Sequence, residues 1–292
     1  MMTLRDLVLL LLTPLTFAVN SVSIRYYQLK IPNAQQGIRA FQGAFCLFAA
    51  LLYAAVAREL PSLRAVGLGV LFGICFFLTL TCSAVCYEIG PMSLTAILVN
   101  ASLALPLMWS VCFLGERVSL RMMIGLLLIC LTFLLSALGR REKGTRAGKR
   151  WMVLVTLAFL CNGASAILQK SYQRTQAEGN PFSFLSIAYL TAALLFFSAA
   201  ALRRGKDTFF PSQRGWLYCL LIAAAGAGSF AGNGLLQSLC VRVPAGVLYP
   251  IANGGLCVVT AIASFVLFRE RLTRWKLMSI ASGVAGIAVL TL

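Results

Sequence analysis

Apolar residues run through this chain in blocks of similar length, separated by short segments that carry charge, proline or glycine. A helix that crosses a bilayer needs about 20 mostly apolar residues. Read this way, the blocks predict helices over 5–24, 38–57, 65–87, 92–114 and 119–138. The interval 139–150 (GRREKGTRAGKR) is a long, wholly polar interruption, and beyond it spans recur over 151–170, 182–202, 216–240, 245–268 and 275–292. The first block resembles the apolar core of a signal peptide. It is as long as the nine that follow, so it reads as a retained span.

Five spans on either side of one polar segment make the halves comparable. Gly115-Glu116-Arg117-Val118-Ser119 follows the fourth span and Arg269-Glu270-Arg271-Leu272-Thr273 follows the ninth, an offset of 154 residues at which Leu94, Ile97 and Ser110 match Leu248, Ile251 and Ser264. An odd number of spans per half forces the second half to enter the membrane from the opposite side. The expected fold is therefore all-α: a polytopic membrane protein of ten transmembrane helices in two inverted five-helix repeats. The repeats cover 1–138 and 151–292, joined by the basic linker 139–150.

Composition removes competing classes. Hydrophobic residues make up 60% of the chain and charged residues 11%, against roughly 45 to 50% and 25% in soluble domains. The net charge of +17 comes from 25 Lys and Arg against 8 Asp and Glu. Most of the basic residues fall between spans, where they orient membrane proteins, so the expected partners are a bilayer and a small-molecule substrate, not a nucleic acid. A chain without histidine has no HExxH zinc site, Ser-His triad or imidazole-ligated haem. Ten cysteines, none in a CxxC pair, read as reduced packing residues, and no metal or cofactor is expected. No GxxxxGK[ST] loop is present. All eight acids sit near span ends or in loops, which excludes an intramembrane aspartyl dyad and predicts transport that does not rest on a membrane-centred carboxylate.

The run from Tyr87-Glu88-Ile89-Gly90-Pro91-Met92 through Pro106 to Gly115-Glu116-Arg117, its second copy at Glu270-Arg271, and Ile31-Pro32 followed by Arg39 resemble the drug/metabolite transporter superfamily, specifically its ten-helix EamA-type members, over the whole chain. Arg269 stands where that family has glycine, and helix 1 lacks the glutamate of the four-helix multidrug pumps. The resemblance implies a carrier, not an enzyme, with a cavity between helices 1, 3, 4, 6, 8 and 9.

Amides inside spans are the candidate substrate contacts, because an amide in hydrocarbon needs a partner in another helix, in water or in a ligand. Asn100 and Asn253 each lie eight residues into their spans, about 12 Å deep and from opposite faces. Asn20, Asn162, Asn233, Gln237 and Tyr249 complete the polar set, and Arg25 and Lys170, ending helices 1 and 6, either reach the headgroups or offer charge to an anionic substrate group. Gly226, Gly228, Gly232 and Gly234 suggest close packing of helix 8. Pro106 and Pro250 suggest kinks in helices 4 and 9. Glu116 and Glu270 read as acceptors for helix N-terminal amides.

The sequence thus predicts a secondary transporter, an exporter of a small metabolite such as an amino acid, working by alternating access in the cell (plasma or inner) membrane. An intramembrane enzyme and a non-transporting scaffold or sensor are the alternatives. A homodimer is possible, but a monomer suffices. Lys and Arg number 17 on the linker face against 8 on the face of the termini, which places the linker in the cytoplasm. The family resemblance places the termini there instead.

Overall fold

A computed structural model of the chain describes residues 3–30, 34–59, 61–90, 92–138, 148–175, 180–202, 215–268 and 273–291. Their helices are α1 (Leu4–Lys30), α2 (Ala34–Ala57), α3 (Leu63–Ile89), α4 (Met92–Ala101), α5 (Ala104–Leu114), α6 (Leu120–Leu138), α7 (Lys149–Thr175), α8 (Pro181–Ala201), α9 (Gly215–Leu239), α10 (Ala245–Phe268) and α11 (Arg274–Thr291). Among the described residues, nine helices are long and apolar enough to cross a membrane, α4 and α5 together forming one from Leu94 to Leu114. The tenth, α11, has 18 residues, or about 27 Å at helical rise. The protein is all-helical and polytopic, with exposed side chains such as Leu127 (68%) and Val153 (68%) forming an apolar outer surface suited to lipid.

The helix ends have local causes. Asn180 begins α8 by accepting from the Phe182 amide at 3.0 Å, and its own Nδ2 donates to Ala57 O at 2.8 Å, so one side chain caps the start of α8 and the end of α2. Gly115 ends α5 in the left-handed region (φ 67°) and Glu116 N donates back to Ser110 O at 3.2 Å. A glycine is favoured there because a Cβ would be strained.

The contacts between helices repeat when the halves are exchanged. α1 packs on α9 and α10, and its counterpart α7 packs on α3 and on the α4–α5 span. Likewise α2 packs on α9 as α8 does on α3, while α2–α8 and α6–α11 pair with their own counterparts. The halves interleave across one body. The tightest approach is of α9 on α1: a Cβ on Gly228 would lie 2.8 Å from both Asn20 N and Thr16 O. Since α9 is continuous through its glycines, they serve packing, not unwinding.

The predicted helix 4 is two helices. Ser102 N, Leu103 N and Leu105 N donate three residues back, to Val99, Asn100 and Ser102 O, and Pro106 has no N–H to give Ser102 O in α-helical register. Pro250 leaves α10 continuous. Cys46, Cys75, Cys82, Cys86, Cys161 and Cys240 are buried, but Cys112, Cys130 and Cys219 are exposed, which corrects their reading as core residues.

Candidate functional site

Two cavities meet inside the bundle. The smaller, about 200 Å³, lies between α1, α3, α4–α5, α7, α9 and α10, with Asn100, Ser102, Asn162, Asn233, Tyr249 and Asn253 among its walls. The larger, about 650 Å³, runs from Asn100, Asn253 and Leu256, which both cavities share, to Arg25, Tyr87, Ser136 and Lys276. Arg25, Tyr87 and Ser136 lie near the ends of α1, α3 and α6, and Lys276 near the start of α11. By the order of the spans, all four belong to the face of the 139–150 linker.

The opposite side is shut by polar contacts. Lys170 Nζ, in α7, pairs with Glu116 Oε1 at 2.5 Å, with side chains 3% and 19% exposed. Glu116 Oε2 accepts from Ala245 N, the first residue of α10, at 2.8 Å. Glu116 therefore does meet a helix N-terminus, but that of α10 and not that of the helix it precedes. Gln237 Nε2 donates to Gln169 O (3.3 Å) and Gln173 Oε1 (3.0 Å), joining α9 to α7 at the same level. Nearby, Arg242 reaches Asp6 at 3.3 Å and ties the α9–α10 connection to the start of α1.

Six of the nine residues predicted as substrate contacts line these cavities: Asn100 and Asn253 both of them, Asn162, Asn233 and Tyr249 the smaller, and Arg25 the larger. Asn100 and Asn253 each donate four residues back within their own helices, to Ala96 O (2.8 Å) and Tyr249 O (3.0 Å). One N–H of each amide is so used, and its chemistry leaves a second N–H and a two-lone-pair oxygen. Asn162 reaches across to Val99 O (3.3 Å) and Ser102 Oγ (2.7 Å), holding the break between α4 and α5. Asn233 donates to Tyr189 Oη at 2.7 Å, and Tyr249 Oη to Ala166 O at 2.8 Å.

Three predicted residues line neither cavity. Asn20 donates to Ala225 O (3.1 Å) and Ser229 Oγ (2.9 Å), because the close approach at Gly228 brings α9 within reach of its amide. Gln237 is fully buried in the α7–α9 contact. Lys170 neither reaches the headgroups nor faces the cavities: its partner is Glu116. Glu270 lies outside the described residues.

Sequence reading missed Ser102, Gln169 and Lys276, which line the cavities. A signal for Lys276 existed. It shares an i, i+3, i+7, i+10 stripe with Ser279, Gly283 and Gly286, all buried against the bundle. Ser102 carried none, since the helix break that exposes it depends on packing with α7.

Interrupted helices beside a central cavity recur in secondary carriers, and the comparison that decides the family follows from sequence: residues 149–292 match the model of the EamA-like transporter family. This half of the chain belongs to the EamA-like transporter family. With that match stands its membership of the drug/metabolite transporter superfamily, and the chain is a multi-pass membrane transporter of that type. The fold of the whole chain also has a counterpart. The crystal structure of another protein superposes with a TM-score of 0.73 over 98% of this chain and 96% of its own, at 16% identity. No curated protein matches the sequence. The EamA-like half supplies α7, α9 and α10 to the cavity walls, and the first half supplies α1, α3 and the α4–α5 break.

Proposed function

We propose that the chain is a secondary carrier that exports a small polar metabolite, such as an amino acid, across the cell membrane by alternating access. The observation that supports this reading is the position of Asn100 and Asn253. They stand on spans of opposite direction, one from each half, at the junction of both cavities. Amides both donate and accept, so they hold a zwitterion or heterocycle without burying an unpaired charge. In the conformation described, the cavity opens toward the linker face and the Lys170–Glu116 contact closes the other. Rocking of the halves breaks that contact and shuts the wider mouth. An intramembrane hydrolase based on a Ser-Lys pair is disfavoured, because Lys170 Nζ is engaged by the Glu116 carboxylate.

The test is counterflow of radiolabelled amino acids in proteoliposomes. Asn100→Ala and Asn253→Ala should lower flux or raise apparent KM at unchanged thermal stability. Loss of stability with unchanged affinity would instead make both amides structural, and no flux with the wild-type protein across the amino acids and related metabolites would favour a scaffold or sensor.

A further inference from the structure

We propose that the open vestibule selects anions, with Arg25 and Lys276 as the selecting charges, so that the transported solute bears a carboxylate or phosphate and a cationic solute is rejected. This deepens the carrier reading and rests on it only in calling the vestibule the path of the solute. Among the described residues lining the larger cavity there are two cations, two amides and six hydroxyl side chains, and no carboxylate. In sequence, the stretch 269–272 between α10 and α11 carries two arginines and one glutamate. By span order the whole linker face carries 17 Lys and Arg against 4 Asp and Glu.

Loop charges answer to membrane orientation, but Arg25 and Lys276 are helix residues that line the cavity. Arg25 comes from α1 of the first half and Lys276 from α11 of the second, so the two cations approach from different helices of the interleaved body. Low-dielectric walls focus the field of such charges into the water between them. The hydroxyls, Ser136, Thr260 and Ser279 among them, can turn O–H groups toward an anionic oxygen. Deeper in, the uncharged Asn100 and Asn253 suit the neutral remainder of the solute. The positive end therefore receives the charge first and the amide floor reads the rest.

The chain contains its own reporter. Cys257 lines the larger cavity. Its modification by the anionic sulfonatoethyl and the cationic trimethylammonioethyl methanethiosulfonates is followed by peptide mass mapping, and the ratio of the two rates is divided by that of a free thiol in solution. A cleft of one sign raises the local counter-ion concentration by about tenfold or more, so the normalised anion-to-cation ratio should exceed about ten. Arg25→Gln and Lys276→Gln should each lower it and together bring it near one. A ratio at or below one in the wild-type protein overturns the proposal, and so does a high ratio that the double variant leaves unchanged. Should Cys257 react with neither reagent, Ala261→Cys on the same wall takes its place under the same criteria. These rates need no knowledge of the solute: a neutral vestibule would leave the carrier reading standing, and failed flux would leave the vestibule's charge established.

Discussion

Replacing Glu116 by glutamine tests how the closed face is held. Glutamine keeps an oxygen for the Ala245 amide, which Glu116 now meets at 2.8 Å, and removes only the charge opposite Lys170. The Lys170 side chain is 3% exposed, so its ammonium is left in a site with neither water nor a carboxylate. Removing one partner of a buried pair costs about 3 to 5 kcal/mol. The penalty falls on the conformation in which the pair is made, since alternating access as proposed hydrates both groups in the opposite one. About 3 kcal/mol shifts such an equilibrium roughly 150-fold, enough to bring a state populated at about one per cent to at least parity. Two native thiols report the result. Cys240, buried on the closed side with Tyr249 Oη 3.9 Å away, should be protected from N-ethylmaleimide in the wild-type protein, whereas Cys257 faces the open vestibule. Glu116→Gln should raise modification of Cys240 at least tenfold and lower that of Cys257. Glu116→Gln with Lys170→Met removes both charges and should recover much of the protection, since apolar replacement of a whole buried pair is often neutral. If Glu116→Gln leaves both rates unchanged and the double variant resembles the sum of the single ones, the contact is not what holds this face shut.

Asn20→Ala should lower the apparent melting temperature while folded protein transports with wild-type affinity, since its amide joins α1 to α9 through bonds each worth on the order of 0.6 kcal/mol and outside both cavities. Thermal denaturation beside counterflow separates it from the cavity amides. Gly228→Val should cost more, about 1 to 3 kcal/mol or above, because even its Cβ would meet the α1 backbone at 2.8 Å; a monodisperse, stable variant on size-exclusion chromatography contradicts this. Glu88→Gln should leave proton-coupled flux intact, as Glu88 is exposed at the end of α3 and lines neither cavity. Reporter fusions at residue 292 and within the linker should lie on opposite faces, and finding both on one face refutes ten spans.

The sequence by itself determined that the chain is a series of apolar helical spans, nine of them long and apolar enough to cross a membrane among the described residues, because each must fill the hydrocarbon with apolar residues and satisfy its backbone internally. Parity and the repeated Glu-Arg sequence predicted an inverted relation of the halves. Six of its nine candidate residues line the cavities, since an amide at mid-depth is conspicuous in an apolar span. Which partner each polar group takes was decided by tertiary packing. Asn20 and Asn162 look equivalent along the chain, and each donates to a backbone carbonyl and a serine of a neighbouring span, yet only Asn162 lines a cavity. Lys170 and Glu116 are 54 positions apart in different halves, and neither position predicts a buried pair. Pro106 and Pro250 pose the same local problem, but only the first span breaks, where Asn162 of α7 holds Ser102. In each case the period of the chain sets which face a side chain is on, and the neighbouring helix sets what that face meets.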